Sequence, residues 1–201
     1  MSSSREVDPF GRVDSQDDRI FYAVDRLVTH IEPGAIEALR TFYGSVLPGG
    51  GAVFDLMSSW RSHLPSDGMG AVTGLGMNAT EMAANPQLDD YVVHDLNADP
   101  TLPFADAAFV GAVCTVSVQY LTSPVEVFAE VRRVLQPGAP FAVAFSNRCF
   151  PTKAVALWRY GTDADHVDLV RAYFANAGFA DVTDRRLPSP DDPVHVVTAH
   201  A

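Results

Sequence analysis

The chain is short of positive charge. Among 201 residues, Lys and Arg number 14 against 25 Asp and Glu, giving a formal charge of −11 and a pI near 4.7. This disfavours a nucleic-acid partner, because phosphate backbones are held by basic patches. Cysteine is scarce too. Cys114 and Cys149 are too few for a disulfide framework and fit no metal-ligand spacing, so plain buried thiols in a reducing cytoplasm are expected. Long apolar runs are missing. The longest, Phe109 to Val116 and Pro140 to Phe145, are of strand length, far below the roughly 20 residues of a membrane helix. Met1 to Asp18 carries no apolar stretch of the kind a signal peptide needs.

What remains is ordinary globular composition, with 47% hydrophobic residues, 19% charged and a mean hydropathy of +0.05. The length suits one domain with a large core, and a small molecule is the expected partner.

Residues 1–18 are Ser- and Asp-rich and read as a mobile segment preceding one domain over 19–201. Ile20, Val24, Leu27, Val28 and Ile31 recur at helical spacing, and Ile36, Leu39, Phe42, Tyr43 and Val46 repeat the signal. Two helices are therefore predicted over 19–47. From Gly51 onward apolar runs alternate with helical patterns. Strands are predicted at 52–57, 71–75, 91–94, 109–115 and 140–146; a short turn is predicted at 59–64, and helices begin at Ala79 and Pro124. A helix ending at Gly178 precedes two runs, 180–187 and 193–200, joined by the loop Pro188 to Asp192. That loop is too short for a crossover, so the pair should be antiparallel. The prediction is an α/β, Rossmann-like doubly wound sheet of seven strands, mostly parallel, with an antiparallel last strand at its edge and helices on both faces.

In such a sheet the ligand crevice lies at the carboxyl ends of the strands. Those ends are Asp55 to Trp60, Leu75 to Asn78, Asp95 to Asn97, Thr115 to Gln119 and Ser146 to Arg148. Strand ends are polar in any α/β protein, so spacing alone leaves a cofactor site and plain surface polarity both open.

The ordered segments "VFDLMSSW", "VTGLGMNATEMAANP", "VVHDLNADPTLPFADAAFVGAVCTVSVQYL" and "PVEVFAEVRRVLQPGAPFAVAFSNR" resemble the class I S-adenosylmethionine-dependent methyltransferases, type 11. The resemblance covers about Gly51 to Phe179 and implies S-adenosylmethionine as cofactor. It also exposes two departures. The family follows its first strand with acid-x-Gly-x-Gly-x-Gly; here the acid is Asp55, and Met57, Ser59 and Arg61 stand at the glycine positions. Glycine serves there because backbone approaches the ligand closely, sometimes at positive φ. Ser58 and Ser59 offer hydroxyls instead, and Met57 either flanks the adenosine or fills core. At the second strand end the family's ribose-binding acid is replaced by Gly76, with Asn78 as the nearest polar substitute. Asp95 matches the acid facing the adenine, beside Leu96.

The resemblance thus implies a cofactor site of Asp55, Met57, Ser58, Ser59, Trp60, Gly76, Met77, Asn78, Asp95, Leu96, Asn97, Thr115 and Val116. Tyr22 and Arg26 are added from the leading helices, which fold over the cofactor as a lid. Tyr22, Arg26 and His30 share one face if that segment is helical. Arg26 then reaches the cofactor carboxylate, or pairs with Asp25 or Glu32 on a solvated face. His63, Tyr120 and His30 are the catalytic candidates, against surface or capping roles for the histidines. Asn147 and Arg148 face the acceptor side. Trp60, Phe150 and Trp158 line an aromatic pocket or belong to the core. No metal site is expected, and no G-x-G-x-x-G follows a strand.

The expected function is methyl transfer to a small acceptor. The rivals are a non-catalytic methyltransferase-like protein that binds a ligand or partner in the altered crevice, and an enzyme that uses the cofactor's charge without methylating.

Overall fold

The structure, a computed structural model, describes residues 8–189 and 193–201. Residues 1–7 of the N-terminal segment and 190–192 of the last loop lie outside it. Seven strands form one sheet: β1 Val53–Leu56, β2 Val72–Gly76, β3 Asp90–Val93, β4 Gly111–Thr115, β5 Pro140–Ser146, β6 Ala180–Leu187 and β7 Val194–His200. Their order is β3-β2-β1-β4-β5-β7-β6. Strands β1 to β5 pair in parallel, and β7 pairs antiparallel with both β5 and β6. The antiparallel strand is therefore internal, and the predicted edge position belongs to β6 instead. Strand order changes direction at β1/β4, which opens a crevice at their carboxyl ends.

Alternation of side chains along the strands builds a core on each face. Phe54, Leu56, Ala112, Cys114, Phe141, Val143 and Phe145 point to one, beneath α4 (Pro124–Val134) and α6 (Asp163–Asn176), which contribute Phe128, Val131, Val170 and Phe174. Val53, Val113, Ala142 and Ala144 point to the other, beneath α2 (Pro33–Val46) with Leu39 and Tyr43. Asp55 and Thr115 share the parity of Val53 and Val113, so they end their strands on the α2 face, where the Tyr43 hydroxyl meets Thr115 Oγ1 at 2.8 Å.

The helix predicted across Ile20 to Ile31 does not form. Only α1, Asp18–Tyr22, is helical there. The carbonyls that a helix would use internally go to side chains: Phe21 and Val24 accept from the guanidinium of Arg26 in the same segment, Tyr22 from Asn78, and Val28 from the Trp60 indole. The Arg26 N–H goes to Glu81 at 2.7 Å. Ile20, Val24, Leu27 and Val28, the expected buried stripe, are exposed, and only Ile31 is in the core. No helical turn forms over 59–64 either. That segment is held by Asn85, whose amide donates to the Ser59 carbonyl and the Ser62 hydroxyl, and by Gln87 donating to the Leu64 carbonyl. Two short helices complete the chain, α3 (Ala79–Ala83) and α5 (Ala156–Tyr160), the latter unanticipated.

Residues 8–18 differ from the mobile segment expected. Leu157 and Ala156 donate backbone N–H groups to Pro9 and Gly11, and Asp14 donates to Thr152. Beneath this strap lies Lys153, the chain's single lysine and wholly buried. It pairs with Asp18 at 2.9 Å and Asp14 at 3.1 Å and donates to the Gln16 carbonyl. Both Asp18 oxygens also accept from Arg12 Nη1, and Oδ2 accepts from the Asn97 amide as well. Burial opposes the charge on Asp18, but these donors outweigh it and hold its carboxyl below the ordinary value. Lys153→Met would remove one of the two cations that hold buried Asp18, and a loss of about 3–5 kcal/mol is expected in urea unfolding; a loss below about 1 kcal/mol would show that the strap carries little of the fold.

Candidate functional site

A cavity of about 350 Å³ lies over the carboxyl ends of β1 to β4, closed from above by the segment from Asp18 to His30. Every predicted site residue lines it except Asn147, which is exposed and turned away. Arg148 lines it from the rim while paired with Glu32 at 2.9 Å. Tyr22, Arg26 and His30 meet there after all, brought together by the irregular strap and not by a helical stripe.

The loop after β1 explains both departures at once. Met57 has φ of 57°, the left-handed conformation that glycine adopts without strain. The backbone shape survives with a side chain on it, as it does at His63 (φ 57°) and Val116 (φ 49°), two further residues of the cavity wall. Such conformations cost on the order of 1–3 kcal/mol each and persist only where the surroundings enforce them. Here the Ser58 N–H donates to the Leu75 carbonyl at 2.7 Å, drawing the loop onto β2. A Cβ at position 76 would lie 2.2 Å from the Ser58 carbonyl oxygen. An acid at Gly76 is therefore incompatible with this loop.

The serines have specific partners. Ser58 Oγ donates to Asp55 at 2.6 Å and Ser59 Oγ to Glu81 at 2.6 Å. Glu81 was not anticipated. It follows Asn78, the N-cap of α3, whose side chain accepts from the Glu81 N–H. Asn-x-x-Glu ahead of an apolar residue reads as a helix start, and that reading hides the carboxylate's second use, facing the cavity with the loop hydroxyl and Arg26 N–H upon it. Asn78 itself is occupied, donating to the Tyr22 carbonyl and to Asp25 at 2.8 Å. Asn97 is likewise a strut, donating to Asp18 and the Tyr120 carbonyl and accepting from Thr122. Asp95 is freer, taking only the N–H groups of Asn97 and Ala98 on one of its oxygens. Asp18, Phe150 and Cys149 also line the cavity.

Titration is strongly coupled to burial here. Desolvation pushes the Asp55 carboxyl up to about 6, with the Ser58 and Ser62 hydroxyls opposing it. It pulls His63 down to about 4, helped by Arg40, His30 and Arg61. His30 moves down for the same first reason, and burial raises Tyr120 to about 12. His63, His30 and Tyr120 are thus neutral near pH 7. The Tyr120 oxygen accepts from the Phe150 N–H at 2.9 Å. Among the described residues no group of three His, Cys, Asp or Glu could hold a metal ion. Both cysteines are free thiols, Cys114 buried and Cys149 half-buried. No helix of the described residues is long and apolar enough to cross a membrane.

Comparison with known proteins agrees with this architecture. The sequence profile of a methyltransferase domain, type 11, matches residues 48–143. The biotin biosynthesis bifunctional protein BioHC of Teredinibacter turnerae is 31% identical over 68 residues, 34% of this chain but 12% of that protein. Among solved structures, the [4+2]-cyclase SpnF aligns with a TM-score of 0.63 at 15% identity over 83% of this chain and 81% of its own. An S-adenosylmethionine-dependent methyltransferase of Mesorhizobium loti aligns at 0.58 with 16% identity over 84% and 98%. At these identities the structures speak to the fold. Residues 48–143 thus match a methyltransferase domain, and the sheet shares its fold with S-adenosylmethionine-dependent methyltransferases. The cofactor of such a domain is S-adenosylmethionine.

Two measurements probe the loop. Gly76→Ala is expected to cost roughly 1–3 kcal/mol in urea, because the Ser58 carbonyl must move; an unchanged midpoint would mean the loop does not press on β2. For Asp55 the folded chain holds the proton more tightly than the unfolded one, whose value is 3.8. Its contribution is therefore most favourable below pH 3.8 and declines as pH rises to about 6. Asp55→Asn should gain on the wild type across that interval, by up to about 3 kcal/mol. A difference that stays constant with pH would contradict the burial of an ionising group.

Proposed function

We propose that the chain is an S-adenosylmethionine-dependent methyltransferase acting on a small molecule, in the cytoplasm. The observation that supports it most is the coincidence of one deep cavity with the strand ends of a methyltransferase domain. The residues suit the cofactor. Asp55, Glu81 and Asp95 set three carboxylates along the β1–β3 side, matching a ligand whose sulfonium and ammonium are positive and whose ribose and adenine offer donors. When bound, the cofactor supplies an electrophilic methyl group on a charged sulfur.

The chain's part is alignment and exclusion of water. The segment from Asp18 to His30 forms the lid, Asp95 and the Leu96 backbone receive the adenine, and Ser59 with Glu81 stands where the family's strand-two acid would reach. Asp55, Ser58, Met57, Trp60, Gly76, Met77, Thr115 and Val116 shape the floor. His63 is a poor proton acceptor at about 4, so its role is to orient an acceptor hydroxyl through a neutral imidazole; His30 and Tyr120 do the same from the lid and from beyond β4. A non-catalytic reading draws on a specific feature too: Ser58, Ser59 and Asn78 direct their side-chain donors to protein partners.

Calorimetry with S-adenosylmethionine and S-adenosylhomocysteine separates the two. Micromolar binding is expected, weakened about tenfold or more in Asp95→Ala, since hydrogen bonds to a charged group contribute about 1.5–3 kcal/mol. Absence of binding to the folded wild type would sink the methyltransferase reading.

A further inference from the structure

The cavity is lined by four carboxylates, Asp18, Asp55, Glu81 and Asp95, and by three arginines, Arg26, Arg61 and Arg148. Asp18 is answered by Arg12, Lys153 and Asn97. Arg148 pairs with Glu32, and the Arg61 guanidinium lies 3.9 Å from the centre of the Trp60 ring.

Arg26 is the informative one. Among the described residues no carboxylate lies within ion-pair distance of its guanidinium; two of its N–H groups reach only the Val24 and Phe21 carbonyls. Its carbon lies 4.3 Å from the centre of the Phe21 ring and 5.4 Å from that of Phe150. Phe150 is braced by Tyr120, stacked at 5.8 Å, and by the edges of Phe21 and His30 at 5.3 and 5.4 Å. A half-buried guanidinium without a carboxylate, set on an aromatic wall, is suited to an anionic group attached to a flat apolar body.

We propose that the acceptor compartment takes an aromatic carboxylate, its anion on Arg26 and its ring against Phe150 and Tyr120. This rests on the methyltransferase reading for the word acceptor, but the binding preference does not. The aromatic setting of its guanidinium beside Phe21 and Phe150 reassigns Arg26 from the cofactor to the acceptor.

Benzoate and its neutral isostere benzamide are the probes, titrated into the full chain with and without saturating S-adenosylhomocysteine and followed by NMR. Benzoate should bind at least about tenfold tighter than benzamide, the contrast expected for one charge-assisted contact. Arg26→Gln should abolish that preference while leaving the S-adenosylhomocysteine affinity within about twofold of wild type. Equal affinities, no binding of either probe, or a preference that survives Arg26→Gln would overturn the proposal. A variant that loses S-adenosylhomocysteine and keeps benzoate would assign Arg26 to the cofactor carboxylate and overturn it too. If S-adenosylhomocysteine fails to bind the wild type, the methyltransferase reading fails alone, and the two probes on the ligand-free protein still decide the preference.

Discussion

The site depends on one close approach: the Ser58 carbonyl lies against Gly76, drawn there by the bond from Ser58 N–H to the Leu75 carbonyl. A side chain at 76 is sterically shut out, so the strand-two acid and this loop cannot coexist. The absence of an acid after β2 thus follows from the path of the loop backbone, which keeps at Met57 the conformation glycine would adopt. The loop supplies hydroxyls in exchange, and a carboxylate one turn into α3, Glu81, comes to the same corner through Ser59. Positive φ at Met57 is the residual strain, held by Asp55, Asn85 and β2 around it.

A second constraint closes the cavity. The single lysine lies under the N-terminal strap and gathers Asp14 and Asp18, while Asn97 links Asp18 to the ends of β3 and β4. Buried ion pairs contribute little net stability, yet breaking one is costly, which favours a single placement of the strap over alternatives. That placement carries Tyr22, Arg26 and His30 over the cavity. Loops tied by side chains to several strands make a lid whose position depends on charges as much as on apolar contact, and its apolar residues Ile20, Val24 and Val28 are accordingly left outside.

Much of this was legible in the sequence. Strands β1 to β7 follow from short apolar runs between turn signals, and the cavity wall follows from taking the polar residues at their ends. The lid was not legible as built. Ile20 to Ile31 has helical periodicity, but Asn78 and Trp60 capture two of its carbonyls, a tertiary effect that no local pattern carries. Asn97 and Asn78 sit at strand ends and line the cavity, and their second use, tying the lid and the segment after β4 through their side chains, was not legible. Glu81 lies one turn into α3, away from the strand ends, so taking polar residues at those ends did not reach it. The lone Lys153 among many acids was the one unused signal, since a solitary lysine beside acidic segments is a candidate for their internal counter-ion.

The most direct measurement is a crystal structure with S-adenosylhomocysteine. The Ser58 carbonyl is predicted to remain against Gly76, with the adenine at Asp95 and the ribose beside Ser59 and Glu81. A complex in which the loop has lifted from β2, or in which the nucleoside lies elsewhere, would contradict the view that this glycine-free loop is a preformed cofactor site.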